Sequence, residues 1–169
     1  MAEKLSHLKT DSIHDDLTRT TPIGLARYSS EFLEAALIAD EKMGRRGGYE
    51  ITAPVPVMFL VGQSIELSLK AYLLHRGISL EKLRTKFGHN LHKLLRKAKE
   101  LELKKVVDFT EDELGTIEAL NDLYASKQLQ YIVTGAKIFP VFGPLQTATK
   151  KLVSAVCKEV GFTPKHLRE

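Results

Sequence analysis

The hydrophobic pattern is strongest over residues 54–77, PVPVMFLVGQSIELSLKAYLLHRG, which predicts one long helix that is apolar on most of its circumference. After the two prolines, the helix itself is expected to run from about Val57 to Arg76 and to stop at Gly77. At 3.6 residues per turn, Gln63, Glu66 and Lys70 fall on one line, and apolar side chains cover the other faces. A helix that is apolar over so wide an arc must be surrounded by other helices. The pattern therefore predicts the central helix of a bundle, with one polar stripe that faces either solvent or a site.

Helical periodicity recurs in four further segments, over residues 23–43, 90–101, 111–124 and 140–160. Start signals accompany two of them: Asn90 is a candidate N-cap, and Thr110 with Glu113 has the form of a capping box. Residues 78–88 are predicted to be a loop or a short helical turn capped by Ser79, and residues 127–139 to be irregular, although 131–133 is the best short-strand candidate. The predicted fold is all-α, an up-and-down bundle of four to five helices.

Length and composition are those of one ordinary globular domain. With 169 residues, 43% of them apolar and 27% charged, we expect a single bundle over residues 23–161, a polar arm over 1–22 and a tail over 162–169. The single Cys157 excludes an intrachain disulfide and a Cys-based zinc site. The first residues lack an apolar signal core, and no stretch approaches the uninterrupted apolar length of a membrane span, so we expect a cytoplasmic protein without membrane contact.

The charge is mildly basic and unevenly distributed. The formal net charge is +4 with a sequence pI near 9.1, and the cations concentrate over residues 75–105. Two interpretations stay open for this region: a solvated helix whose polar face is basic, or a surface that contacts nucleic acid.

Three stretches in series resemble the HEPN superfamily, the nucleotide-binding helical domain of higher eukaryotes and prokaryotes. They are VGQSIELSLKAYLLHRGI at residues 61–78, GHNLHKLLRKA at 88–98 and LNDLYASKQLQY at 120–131, and the resemblance covers residues 24–160. It implies a helical bundle, commonly a homodimer, that binds or cuts RNA, binds a nucleotide, or acts with a nucleotidyltransferase or antitoxin partner protein. A link to a toxin–antitoxin or defence system is part of that expectation.

The ribonucleases of this family carry a motif in which an Arg is followed by a polar residue and then, a few positions later, by a His. The region over residues 121–131 contains no His, and Gln130 stands where the family usually has Arg. Arg84 and His89 match a loose version of the motif, but they lie before the helix that starts at Asn90. The leading hypothesis is a catalytically inactive binding and regulatory module. The alternatives are a metal-independent ribonuclease that uses Arg84 and His89, and a structural oligomerisation domain.

The polar stripe also predicts a contact. His89, at the start of the next helix, is expected to hydrogen-bond to Glu66 or Gln63, which would tie two helices together. Glu66 and Lys70, four residues apart, have the spacing of a helical ion pair. Alternatively, the stripe and His89 line a ligand pocket. The candidate ligand-binding residues are Gln63, Glu66, Lys70, His89 and, as a base-stacking platform, Tyr131.

Metal and phosphate-loop signals are weak. His89 and His92 are three residues apart and could share a metal with His75, but no carboxylate or Cys accompanies them at a suitable spacing. Residues 44–48 have the composition of a phosphate-binding loop without the preceding strand, so they are interpreted as a turn. No metal site and no cofactor are predicted.

Overall fold

The computed structural model describes residues 19–164, and this part of the chain contains α-helices and no β-strand, which confirms the all-α prediction. The helices are α1 (Pro22–Met43), α2 (Val55–His75), α3 (Leu80–Lys82), α4 (Leu91–Glu100), α5 (Glu111–Ala125) and α6 (Phe142–Glu159). A π-helical turn, Leu83–Phe87, continues α3, and a 3-10 turn, Leu103–Lys105, follows α4. The predicted arm up to residue 18 and the predicted tail beyond residue 164 lie outside the described residues.

Helix α2 lies at the centre, because it contacts α1, α4, α5 and α6. Its Val61, Ile65 and Leu69 side chains are completely buried. It begins at Val55, two residues earlier than predicted, since a proline such as Pro56 costs nothing in the first turn, where backbone N–H groups have no helical partner. Gly77, at a φ of 87°, follows its C-cap as predicted.

By length and composition alone, α2 also qualifies as a membrane-spanning helix, so the expectation that no stretch approaches such a span was wrong. Of its most apolar window, 67% is buried inside the bundle. That environment is also the one expected of a core helix, and it agrees with the predicted central position.

Small polar residues allow α1 to pack closely against α2. The Ser29 hydroxyl donates to the Ser64 carbonyl at 2.8 Å, the Ser64 hydroxyl donates to the Ser29 carbonyl at 2.8 Å, and the Ser68 hydroxyl lies 2.6 Å from that of Ser29. All three side chains are fully buried. Because each hydroxyl has a partner, the contact avoids the cost of buried unsatisfied polar groups.

The predicted start signals are present. Asn90 accepts a hydrogen bond from the Lys93 amide at 2.8 Å, and Ser79 accepts one from the Lys82 amide at 3.3 Å. Thr110 and Glu113 form the predicted capping box. Helix α6 begins at Phe142, two residues later than predicted, and residues 127–139 are irregular, as predicted.

Candidate functional site

A buried carboxylate lies where α2 meets the N-terminal end of α4 and the C-terminal end of α5. The Glu66 side chain is only 3% exposed, and it accepts from the Lys70 ammonium at 2.5 Å and lies 3.0 Å from Nδ1 of His89. The Tyr124 hydroxyl donates to the same carboxylate at 2.7 Å. The predicted contact of His89 with Glu66 and the predicted Glu66 to Lys70 ion pair are therefore confirmed. A buried charge needs such partners, since an unpaired one costs several kcal/mol.

Tyr124 extends this arrangement to Gln63. Its hydroxyl lies 2.6 Å from Oε1 of Gln63 as well as 2.7 Å from Glu66, so one phenolic hydrogen is shared between two acceptors. Burial, followed by the Glu66 charge and hydrogen bond, raises the pKa of Tyr124 far above its usual value. The phenol therefore stays protonated as a donor. We name Gln63, Glu66, Lys70, His89 and Tyr124 the Glu66 cluster.

Tyr124 was not among the candidate ligand-binding residues that the sequence indicated. The overlooked signal was Gly62, which lies one helical turn before Glu66 on the same face of α2. A Cβ atom at Gly62 would come closer than 3.0 Å to the Tyr124 ring, so the glycine leaves the space in which that ring lies. A small residue on an otherwise bulky helix thus marked the approach of a side chain from α5.

His89 is the most exposed member of the cluster. Its side chain is 60% exposed, although Nδ1 faces the buried carboxylate. Because an ionised carboxylate only accepts hydrogen bonds, Nδ1 must carry a proton, and in the neutral ring Nε2 keeps its lone pair. Within the described residues Nε2 has no hydrogen-bond partner. The arrangement fixes the imidazole tautomer and presents Nε2 to solvent.

Lys70 contributes little free charge to this surface. Its side chain is 14% exposed, and its ammonium group lies 2.5 Å from Glu66. The ion pair neutralises the positive charge, and the donors of Lys70, His89 and Tyr124 all converge on one carboxylate. These contacts show that the polar stripe of α2 links helices through hydrogen bonds and an ion pair. Ligand binding by Gln63, Glu66, Lys70 and His89 stays a prediction.

A row of exposed cations lies beside His89 in the chain. We name it the basic strip; its members are Arg84, Lys86, Lys93, Arg96 and Lys99. All five side chains are exposed, and none forms an ion pair within residues 19–164. Lys93, Arg96 and Lys99 recur every three residues on the exposed side of α4.

The two parts of the basic strip face the same region. The pKa of Glu100 is lowered by its hydrogen bond and charge interaction with Lys97, and further by the charges of Arg96 and Lys86. Lys86 comes from the π-helical turn and Arg96 from α4. Both therefore lie close enough to Glu100 for their charges to act on the same carboxylate.

The start of α4 holds a second histidine. The Nδ1 atom of His92 lies 4.0 Å from the Glu118 carboxylate, and the His92 amide donates to the Asn121 side chain at 3.3 Å. Asn121, on α5, thus supplies a hydrogen-bond acceptor to the first turn of α4. The histidines do not converge: within the described part of the chain, no three His, Cys, Asp or Glu side chains are grouped as metal ligands, so His75, His89 and His92 form no such group.

The structure does not join Arg84 to His89. The Arg84 side chain is exposed in the π-helical turn, and within residues 19–164 it makes neither a hydrogen bond nor an ion pair. Tyr131 is also apart from the Glu66 cluster. It is 66% exposed and lines a separate cavity of about 520 Å³ with Val55 and Phe139.

The comparisons with known proteins give one match. The family model described as HEPN domain matches residues 26–138, a range that includes the whole Glu66 cluster and the whole basic strip. No curated protein and no solved structure matches the chain.

Proposed function

The chain belongs to the HEPN family, and from this premise we propose that it is an RNA-binding regulatory module whose basic strip holds the phosphodiester backbone. HEPN domains are in general nucleotide-binding or ribonuclease-like modules. The observation that carries the proposal is the basic strip itself: five exposed cations, none of them in an ion pair among the described residues, on α4 and the π-helical turn that precedes it. Such cations bind phosphates by releasing the counterions that surround a polyanion.

The extent of the strip favours RNA over a single nucleotide. On α4, the backbone from Lys93 to Lys99 rises by about 9 Å, at 1.5 Å per residue. A nucleic-acid strand advances by only about 3.4 Å per charge, so this surface spans more than one phosphate. The π-helical turn extends it further with Arg84 and Lys86. A single nucleotide would leave part of the strip unoccupied.

His89 has a defined part in this proposal. It lies in the chain between Lys86 and Lys93, and Glu66 fixes its ring so that Nε2 faces outward. When the ring is protonated, Nε2 donates a charge-assisted hydrogen bond to a phosphate oxygen.

Charge removal tests the proposal directly. We expect replacement of Lys93, Arg96 and Lys99 by Ser to weaken binding of a short fluorescein-labelled single-stranded RNA about 100-fold at about 50 mM salt, measured by fluorescence anisotropy. The matched control replaces three exposed cations elsewhere by Ser, namely Lys42, Lys150 and Lys158. The control removes the same net charge and should lose less than about 3-fold. Equal losses in the two variants would mean that only net charge matters, and would overturn the proposal.

A metal-independent ribonuclease is the second candidate, and the geometry of His89 is what favours it. An imidazole that is held at 3.0 Å by a buried carboxylate and exposes Nε2 is suited to general acid–base chemistry. Nε2 would accept the proton of an RNA 2′-hydroxyl as its oxygen attacks the neighbouring phosphorus. The bond from phosphorus to the 5′-oxygen would break, and that oxygen would leave with a proton from solvent.

Gel electrophoresis of labelled RNA in the presence of a chelator separates the two candidates. Intact RNA with the wild-type protein would exclude the ribonuclease and leave the binding module. Cleavage that is lost in His89→Ala but kept in His92→Ala would establish it, because His92 is a similarly exposed histidine on the same helix start.

Localisation, oligomeric state and partner protein are further parts of the proposal. We place the module in the cytoplasm as a homodimer that works with a nucleotidyltransferase or antitoxin partner. If the chain is instead a structural oligomerisation domain, RNA should cause neither a thermal shift nor salt-dependent binding.

A further inference from the structure

A cavity of about 310 Å³ lies at one end of the basic strip, where the end of α4, the 3-10 turn and the start of α5 meet. Lys99, the last member of the basic strip along α4, lines this cavity. Sites for small ligands have volumes of about 300–1,000 Å³. The cavity is therefore large enough for one planar ring system such as a nucleobase.

The walls of this cavity are mostly apolar. They come from Leu103 and Val107, which are buried, and from Phe109 and Leu114, which are half-buried. Single-stranded RNA exposes the flat faces of its bases, and proteins bind those faces by stacking them on aromatic side chains. Phe109 is the aromatic side chain of this cavity, so it is the candidate for such a contact.

Three charged side chains also line the cavity: Lys99, Lys104 and Asp108. All three are exposed, and within residues 19–164 none of them has a side-chain hydrogen bond or an ion pair. The carboxylates of Glu111 and Asp112, in the first turn of α5, do not line the cavity. Two cationic donors and one carboxylate acceptor are therefore free to contact a ligand there.

Among the four bases of RNA, guanine matches this set of groups. Its Watson–Crick edge presents the acceptor O6 beside two donors, N1–H and N2–H₂, and one carboxylate can accept from both donors at once. A lysine can donate to O6 or N7 of guanine. Adenine, cytosine and uracil each have one donor group on that edge, so they would leave one carboxylate oxygen without a partner.

We propose that this cavity binds a guanine base of the RNA that lies on the basic strip. The Asp108 carboxylate accepts from N1–H and N2–H₂, the Lys104 ammonium donates to O6, and the Phe109 ring stacks on the base. Lys99, which belongs to both the strip and the cavity, contacts the phosphate of the same nucleotide. The inference rests on the proposed function, since it adds a base preference to a strip that contacts the RNA backbone.

An apolar side chain of a partner protein is disfavoured as the occupant. It would fill the same walls, but it would cover Asp108 without offering a hydrogen-bond donor, and a desolvated carboxylate without a donor is costly. It would also leave the two lysines without an anion. The phosphate and the base edge of a guanosine supply a partner for each of the three charged groups.

Two short fluorescein-labelled RNAs test the inference on the full chain by fluorescence anisotropy. One is a uridine tract, and the other is the same tract with a single central guanosine, so the two have the same charge. We expect the guanosine to tighten binding about 10-fold. Asp108→Asn should remove this gain, because an amide has only one acceptor oxygen. The matched control is Asp112→Asn, which removes the same charge from an exposed position outside the cavity and should keep the gain.

The outcomes separate this inference from the proposed function. If the uridine tract binds in a way that depends on Lys93 and Arg96, and the guanosine brings no gain, RNA binding by the strip stands and the guanine site is wrong. The cavity would then belong to another occupant, such as an apolar side chain of a partner. If neither RNA binds, both proposals are wrong.

Two further results would overturn the assignment to guanine. They are an equal gain with a central adenosine, and a gain that survives Asp108→Asn. Because Asp108 and Asp112 are both exposed, their replacement by Asn leaves the fold intact, and each result can be interpreted.

Discussion

Several acidic residues form ion pairs in the described part of the chain. Of these, Glu66 should be the one whose replacement by the corresponding amide, Glu66→Gln, destabilises the protein most. The exchange keeps the size of the side chain and removes the charge that Lys70, His89 and Tyr124 share. The ammonium group of Lys70, whose side chain is only 14% exposed, would then lie in the bundle without a counter-charge. The phenol of Tyr124 would keep a neutral acceptor, so most of the loss comes from the charge.

The magnitude follows from the burial of the pair. Breaking a buried ion pair by removing one partner costs about 3–5 kcal/mol, and we expect about 3 kcal/mol because Lys70 retains some access to solvent. For a chain of this length, each kcal/mol lowers the melting temperature by about 2–4 °C, so Glu66→Gln should melt about 6–12 °C below wild type.

Urea and thermal unfolding followed by circular dichroism measure this loss. The matched control is Glu159→Gln, which breaks the 2.8 Å ion pair of Glu159 with Arg76 at the surface. That pair is more exposed, so its loss should cost less than about 1 kcal/mol. If Glu66→Gln is as stable as Glu159→Gln, Glu66 is not the electrostatic centre of the α2, α4 and α5 junction.

Two further predictions concern stability. Burial opposes the ionisation of Glu113, but hydrogen bonds and the charge of Lys151 hold its pKa below the usual 4.5, so its contribution is present above that pH and lost as the pH falls through the lowered pKa. Glu113→Gln should therefore be less stable than wild type near neutral pH and converge with it in strong acid, as urea unfolding across pH would show. Gly62→Ala, which forces a Cβ against the Tyr124 ring, should cost about 1–3 kcal/mol in the same assay. Gly115→Ala, at an open position in α5, should instead stabilise by about 0.5–1 kcal/mol, and a loss there would contradict the argument.

The sequence predicted the architecture well because helical periodicity and start signals are local. The stripe of Gln63, Glu66 and Lys70 and the position of His89 after Gly88 were sufficient to predict the contact of His89 with Glu66. The predicted starts of α2 and α6 were each wrong by two residues. A proline fits both in the first turn of a helix and just before it, so its position does not identify the first helical residue.

The features that were missed depend on contacts distant in sequence. Tyr124 lies 58 residues from Glu66, and no periodicity along either helix shows that α5 brings its hydroxyl to that carboxylate. Likewise, the neutralisation of Lys70 depends on burial, which a count of cations does not show. Within the basic region over residues 75–105, Arg76, Lys97 and Lys105 are also in ion pairs, and the basic strip contains five of the cations that are not.

The salt dependence of RNA binding tests the central claim most directly. If the five cations of the basic strip each contact a phosphate, the slope of log K against log salt concentration should be about −3.5 for single-stranded RNA, at about −0.7 per contact. Replacing Lys93, Arg96 and Lys99 by Ser should flatten that slope by about 2, while replacing Lys42, Lys150 and Lys158 should leave it unchanged. A slope that is the same in wild type and in the strip variant would contradict the assignment of RNA binding to this surface.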